Sequence, residues 1–195
     1  MPLVRWDELF ADLEGQLEAG LTAEERDLEV EEERLRLGRS TLRDRVAATA
    51  AGPPELRTLR FVLTTGPTLE LRPTTIGRDW IAGDEPGGAQ AVLSTAGIAA
   101  LLPDPAQLDA GLLPPPAARG LTDRLGLAFV LRDLARRRRT VEVVTPGGTL
   151  SGTFDRVGRD HADLAVHPED QPRRAGLVRQ IRVLPLTQVV LVRVR

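Results

Sequence analysis

The sequence predicts an α+β protein: an amino-terminal helical arm followed by two helix-preceded, five-stranded, strongly bent β-barrels. Three observations predict this. Gly66, Thr68, Leu69, Ile76, Gly77, Arg78 and Asp79 stand 81 residues ahead of Gly147, Thr149, Leu150, Val157, Gly158, Arg159 and Asp160, so one β unit is written twice. The first fifty residues carry apolar positions at helical spacing. The segments that follow are short, alternating and separated by Gly and Pro, and strands this short hide their faces best by closing on themselves.

The arm comes first. Trp6, Leu9, Phe10, Leu13 and Leu17 recur every three or four residues, which places them on one helical stripe among acidic neighbours. Gly20 interrupts, and Thr22-Ala23-Glu24-Glu25 has the form of a capping box that starts a new helix. Leu28, Leu35 and Leu42 then sit seven apart with Val46 four beyond, a short heptad seam that serves either its own domain or a docked partner helix. Pro53-Pro54 ends the helical region, since proline removes a donor and restrains its predecessor. The arm is assigned to residues 1–52.

The first β unit spans 53–102, with strands expected at 59–65, around Leu69 and Leu71, from Ile76 into Trp80-Ile81, and at 90–94 and 98–102. Residues 103–119, with Pro103, Pro105 and Pro114-Pro115-Pro116, read as an extended linker. The second unit, 120–195, opens with a helix capped at Thr122 and closing on Arg136, Arg137, Arg138 and Arg139. Its strands are expected at 140–145, 149–157, 160–166, 176–183 and 186–194, with Gly152 allowing a bend in a long second strand. Val92-Leu93 and Ile98 match Val183-Leu184 and Val189 at a spacing of 91, so ten extra residues enter the second unit between His167 and Gly176.

Composition narrows the chemistry. Among 195 residues there is no cysteine, which excludes disulfides, thiolate metal sites and a thiol nucleophile. No window approaches the ~18 apolar residues of a membrane span, and the acidic start does not read as a signal peptide, so a cytoplasmic protein without membrane contact is expected. All 26 basic residues are arginine. Residues 1–35 hold twelve acids against three arginines, and residues 132–195 hold thirteen arginines against seven acids. One end can therefore steer toward the other or toward a partner.

The order of elements and the run GGTLSGTFDRVGRDHADL, with its turn glycine, Leu150, Gly152, Phe154, Val157 and Leu164, resemble the Sm-like fold of Sm, LSm and bacterial Hfq proteins. The resemblance covers about residues 40–102 and 121–194 and implies a helix followed by a five-stranded bent barrel in each. The family places an aspartate and, four positions on, an asparagine in its RNA pocket; this chain has Gly158 and Ala162 there, and Gly77 and Ile81 in the earlier unit. The resemblance thus implies the fold and not that pocket. The layout is also similar to proteins of high-GC actinobacteria, some labelled Fis-type regulators. Fis proteins bind DNA through a carboxy-terminal helix-turn-helix, whereas this chain ends in strand.

No catalytic set is evident, and no cofactor or metal is expected. Asp160, His161 and Asp163 could imitate an acid–base cluster, but neighbours on a strand point to opposite faces, so Asp160 and His161 are not expected to converge. Small barrels keep open edge strands, which makes protein–protein assembly the leading expectation, with the chain itself or another protein as partner through those edges and the helical arm. The alternative is a nucleic-acid-binding regulator using Arg136, Arg137, Arg138, Arg139, Arg173, Arg174, Arg179 and Arg182 as polyanion contacts.

Overall fold

The computed structural model describes residue 28 and residues 30–115, 120–168, 174, 176 and 178–195. The chain divides into two compact units, Met1–Thr41 and Leu42–Arg195. In the first, residues 30–39 form helix α1, whose Arg36 donates to Glu33 at 2.7 Å one turn earlier. Leu28, Val30 and Leu35 are exposed. The helix expected around Trp6–Leu17 and the capping box at Thr22–Glu25 lie outside the described residues, whereas residues 30–39 of the helix expected after Thr22 are helical.

Among its described residues the second unit holds helices α2 (Leu42–Ala51), α3 (Pro105–Leu112) and α4 (Leu127–Arg136) and ten strands. These are β1 (Leu59–Leu63), β2 (Thr68–Ile76), β3 (Trp80–Asp84), β4 (Gln90–Ser94), β5 (Ile98–Leu101), β6 (Thr140–Thr145), β7 (Gly148–Val157), β8 (His161–Val166), β9 (Gln180–Pro185) and β10 (Leu191–Val194). All neighbours are antiparallel, in the order β5-β1-β2-β3-β4-β10-β6-β7-β8-β9. Among the described residues the sheet is open, with β5 and β9 at its ends. The first five strands and the last five follow one order, since β10 stands to β6 as β5 stands to β1.

The correspondence extends to irregularities. β2 pairs with β1 through Leu71 and with β3 from Arg72, and β7 passes from β6 to β8 at Gly152 and Thr153. A bulge follows each hand-over, at Pro73–Thr75 and at Phe154–Arg156, 81 residues apart. Backbones crowd at these bends. A Cβ on Gly152 would lie 2.2 Å from Ala165 O, and one on Gly83 would lie 2.3 Å from Arg72 O. The same crossing is relieved by glycine on the long strand in one set and on its neighbour in the other.

The spacing is not uniform. Leu59 faces Leu71 while Val141 faces Gly152, so the first strands stand 82 apart and the second strands 81. The difference falls in the turns, where Gly66 and Gly148 take positive φ of 101° and 114°. Trp80 faces Ser94 and His161 faces Pro185, which puts the ten additional residues between β8 and β9.

Two apolar clusters fill the interior. Leu127, Leu131 and Leu134, at helical spacing on α4, pack with Val141, Val143, Phe154 and Leu164, and also with Trp80 and Val92 of the first set. Val46 of α2 packs with Leu59, Phe61, Leu71 and Leu93, and also with Val190 and Leu191 of the second. Each cluster crosses between the sets, so the two share their interior.

Two expectations are corrected here. The 103–119 segment is not extended throughout: Asp104 caps α3 by accepting from Gln107 N at 2.8 Å, Gln107 returns to Asp104 N, and Pro105 occupies the first helical turn, where a missing N–H costs nothing. Gln107 also donates to Leu56 O and Thr58 O, fixing α3 in place. The helix expected ahead of the later strand set does not start at Thr122. Thr122–Arg124 is a 3₁₀ turn, and α4 begins at Leu127.

Candidate assembly interface

The strand sets meet where β4 pairs with β10, Leu93 facing Leu191 and Val92 facing Val192. Ser94 donates its N–H to Val190 O at 3.0 Å across this joint. Backbone approach is close, since a Cβ on Gly97 would lie 2.8 Å from Val190 O. Arg193 clamps the joint, donating to Glu85 of the β3–β4 loop and to Glu142 of β6, each at 2.6 Å. Burial alone would raise the Glu142 pKa, but hydrogen bonds from Arg193 and Arg195 outweigh it and hold the carboxyl below its ordinary value.

A second contact lies at the turn Gly77-Arg78-Asp79-Trp80. Asp79 Oδ1 accepts from Leu127 N at 2.7 Å, which caps α4 from 48 residues away. Leu125 O accepts from Arg78 N and from Trp80 Nε1 at 2.9 Å. The Trp80 ring lies on Gly77, where a Cβ would come within 2.2 Å of it. This explains the Gly–Arg–Asp–aromatic pattern: glycine makes room for the ring, and the carboxylate is free to take a helix start.

The second set builds the same turn: Arg132 of α4 donates to Gly158 O at 2.7 Å, as Arg43 of α2 donates to Gly77 O at 2.8 Å, but among the described residues no helix start is capped by it. A Cβ on Gly158 would come within 2.6 Å of the His161 ring, which stands in the Trp80 place. Asp160 is 86% exposed and accepts from His161 Nδ1 at 2.8 Å. That bond corrects the expectation that the two diverge, because Asp160 precedes β8 and is not bound by strand alternation. It also holds the Asp160 pKa below its ordinary value. His167 belongs elsewhere: it is buried, its Nδ1 donates to Pro168 O at 2.8 Å, and its Nε2 is left to accept from the Thr153 hydroxyl at 2.9 Å.

The candidate polyanion residues separate into two groups. Arg136 and Arg137 bind Asp133, each at 2.6 Å, and Arg138, in the left-handed region at φ 54°, reaches Asp155 at 3.1 Å. The hydrogen bonds from Arg136 and Arg137 hold the Asp133 carboxyl below its usual range. Arg139 joins α4 to β6, while Arg179 and Arg182 lie before and on β9, two strands from β7. Arg174 is exposed and Arg173 lies outside the described residues.

The heptad seam is interrupted. Ser40 and Thr41 are not helical, so Leu28 and Leu35 belong to a different helix and unit from Leu42 and Val46. Val46 is fully buried in the core of its own unit and offers no docking surface. Among the described residues, no group of three or more His, Asp or Glu could hold a metal ion, and no helix is long and apolar enough to cross a membrane.

The chain matches no protein-family model and no curated protein.

Proposed function

We propose that this protein is a non-catalytic binding and assembly module built from tandem Sm-like units, which contacts other protein chains through its open strand edges and helical arm. The observation that carries the reading is the β4–β10 joint: one edge pairing is used inside the chain, and β5 and β9 are left as the outer edges of the same ten-stranded order. Exposed Ile181 and Val183 on β9 and Leu102 beside β5 add apolar surface at both ends. The second reading is nucleic-acid binding, and Arg174, Arg179 and Arg182 favour it as a basic run beside β9.

Capture of protein partners by the full chain and by Val183→Pro tests the first reading, since the proline removes an edge donor. Partners held by the wild type and lost with the proline support it; partners held equally by both contradict it. Fluorescent single-stranded RNA and duplex DNA, titrated at two salt concentrations, test the second. Binding that falls steeply with salt and with Arg179→Ala/Arg182→Ala would establish it.

A further inference from the structure

We propose that the Asp160–His161 turn, with the outer face of β9 at Val183, is a docking site for the first turn of helix α2 of a second copy of this chain. The inference rests on the assembly reading above and names the partner and its contact.

The chain contains its own template. At the internal joint the Gly77–Trp80 turn receives the start of α4, Asp79 capping Leu127 and Trp80 packing in the cluster that holds Leu127 and Val92. The spacings established by strand pairing assign counterparts: Asp160 for Asp79, His161 for Trp80 and Val183 for Val92. Helix α2 is the counterpart of α4. Both run ten residues ahead of the first strand of their set, and the fifth residue of each, Val46 and Leu131, is fully buried. Their first residues are Leu42 and Leu127.

Exposure distinguishes the members of these pairs. Val92 is 6% exposed and Val183 63%; Leu127 is 5% exposed and Leu42 40%. The residues buried at the joint have exposed counterparts at the opposite ends of the unit, α2 carrying one and β8–β9 the others. One copy therefore presents the socket and the next presents the helix, a head-to-tail contact that can repeat.

The outer joint is weaker than the inner one. Pro185 stands in the place of Ser94 and has no N–H to donate, and Pro103 stands in the place of Val194. Gln188 replaces Gly97, where a side chain forces the backbones apart. The Glu85–Arg193–Glu142 clamp has Val166, Leu102 and Arg60 as counterparts. Strand pairing alone is thus blunted, as is usual at protected edges. The side-chain socket then decides whether copies associate, and association is reversible.

Sedimentation velocity on the full chain over a wide concentration range tests this. The expected mass of the wild type rises above 21.2 kDa with concentration. Leu42→Asp and Asp160→Ala, both at exposed positions, should each raise the concentration needed by about tenfold, the worth of a lost helix cap. Leu42→Asp places a carboxylate at a helix start, where it does not harm folding. Leu42→Asp mixed with Val183→Glu should form a species of twice 21.2 kDa and nothing larger, because each keeps one intact end. Pro185→Ser with Gln188→Gly should tighten association. A wild type that stays at 21.2 kDa throughout overturns the proposal, as does unchanged association of both Leu42→Asp and Asp160→Ala. If the mass stays monomeric while capture of another protein still depends on the β9 edge, self-docking falls and the assembly reading stands.

Discussion

Asp79 caps helix α4: its Oδ1 accepts the N–H of Leu127 at 2.7 Å, although the residues belong to different strand sets. The first set thereby helps to fold the second. Asp79→Ala should destabilise the protein by ~1 kcal/mol and Asp79→Asn by less, measured by urea denaturation with far-ultraviolet circular dichroism, because Asn keeps a capping oxygen. Equal losses for both would show that the cap is not the operative contact.

Gly77 and Gly158 each lie under an aromatic ring. Gly77→Ala should cost ~1–3 kcal/mol, because the buried Trp80 ring must leave its place and lose its bond to Leu125 O. Gly158→Ala should cost less, since His161 is half exposed and can swing outward. Thermal melts followed by far-ultraviolet circular dichroism check both, and the opposite ranking would refute the packing argument.

Much of the strand pattern was legible in the sequence. β4 and β6 fall on the expected residues, β6 because it alternates and both because a Gly-Gly or Pro-Gly turn bounds them. The bend at Gly152 was legible too, as an unusual glycine in a long strand. Helix α3 was obscured by its prolines, yet Asp104-Pro105-Ala106-Gln107 carries both a capping box and a first-turn proline. The start of α4 was not legible, because its cap lies 48 residues upstream. The seam through Leu28, Leu35, Leu42 and Val46 looked continuous because spacing alone does not register the break at Ser40-Thr41. The pairing of the arginines with Asp133 was readable at three- and four-residue spacing, whereas that of Arg138 with Asp155 needed the fold.

The Arg193 clamp makes stability depend on acid. Glu142 has a folded pKa below its ordinary value, so its contribution is complete above the unfolded pKa and is lost as pH falls through the folded one. Stability should therefore decline below the usual carboxylate range, with a smaller slope in Glu142→Gln. That variant should also be less stable at neutral pH by ~1–2 kcal/mol, as a charge-assisted bond is lost. Denaturant midpoints across a pH series measure both effects, and parallel curves for the two proteins would rule out the clamp.

Leu131 is fully buried between α4 and the sheet. Leu131→Ala should cost ~2–5 kcal/mol, whereas Leu28→Ala, at an exposed position, should stay within about 0.5 kcal/mol of wild type. Chemical denaturation compares them directly. Comparable losses would mean that the burial assigned to α4 is wrong.

The claim that the two ends of the sheet are halves of one joint makes a statement about register. At the internal joint Val92 faces Val192, and the counterparts of these residues are Val183 and Leu101. The chain has no cysteine, so single cysteines report without background. Chains carrying Val183→Cys, mixed with chains carrying Leu101→Cys under mild oxidation, should form a disulfide-linked dimer faster than the same chains mixed with Ala99→Cys, two residues out of register. Equal rates for the two mixtures, or no linkage in either, would contradict the account.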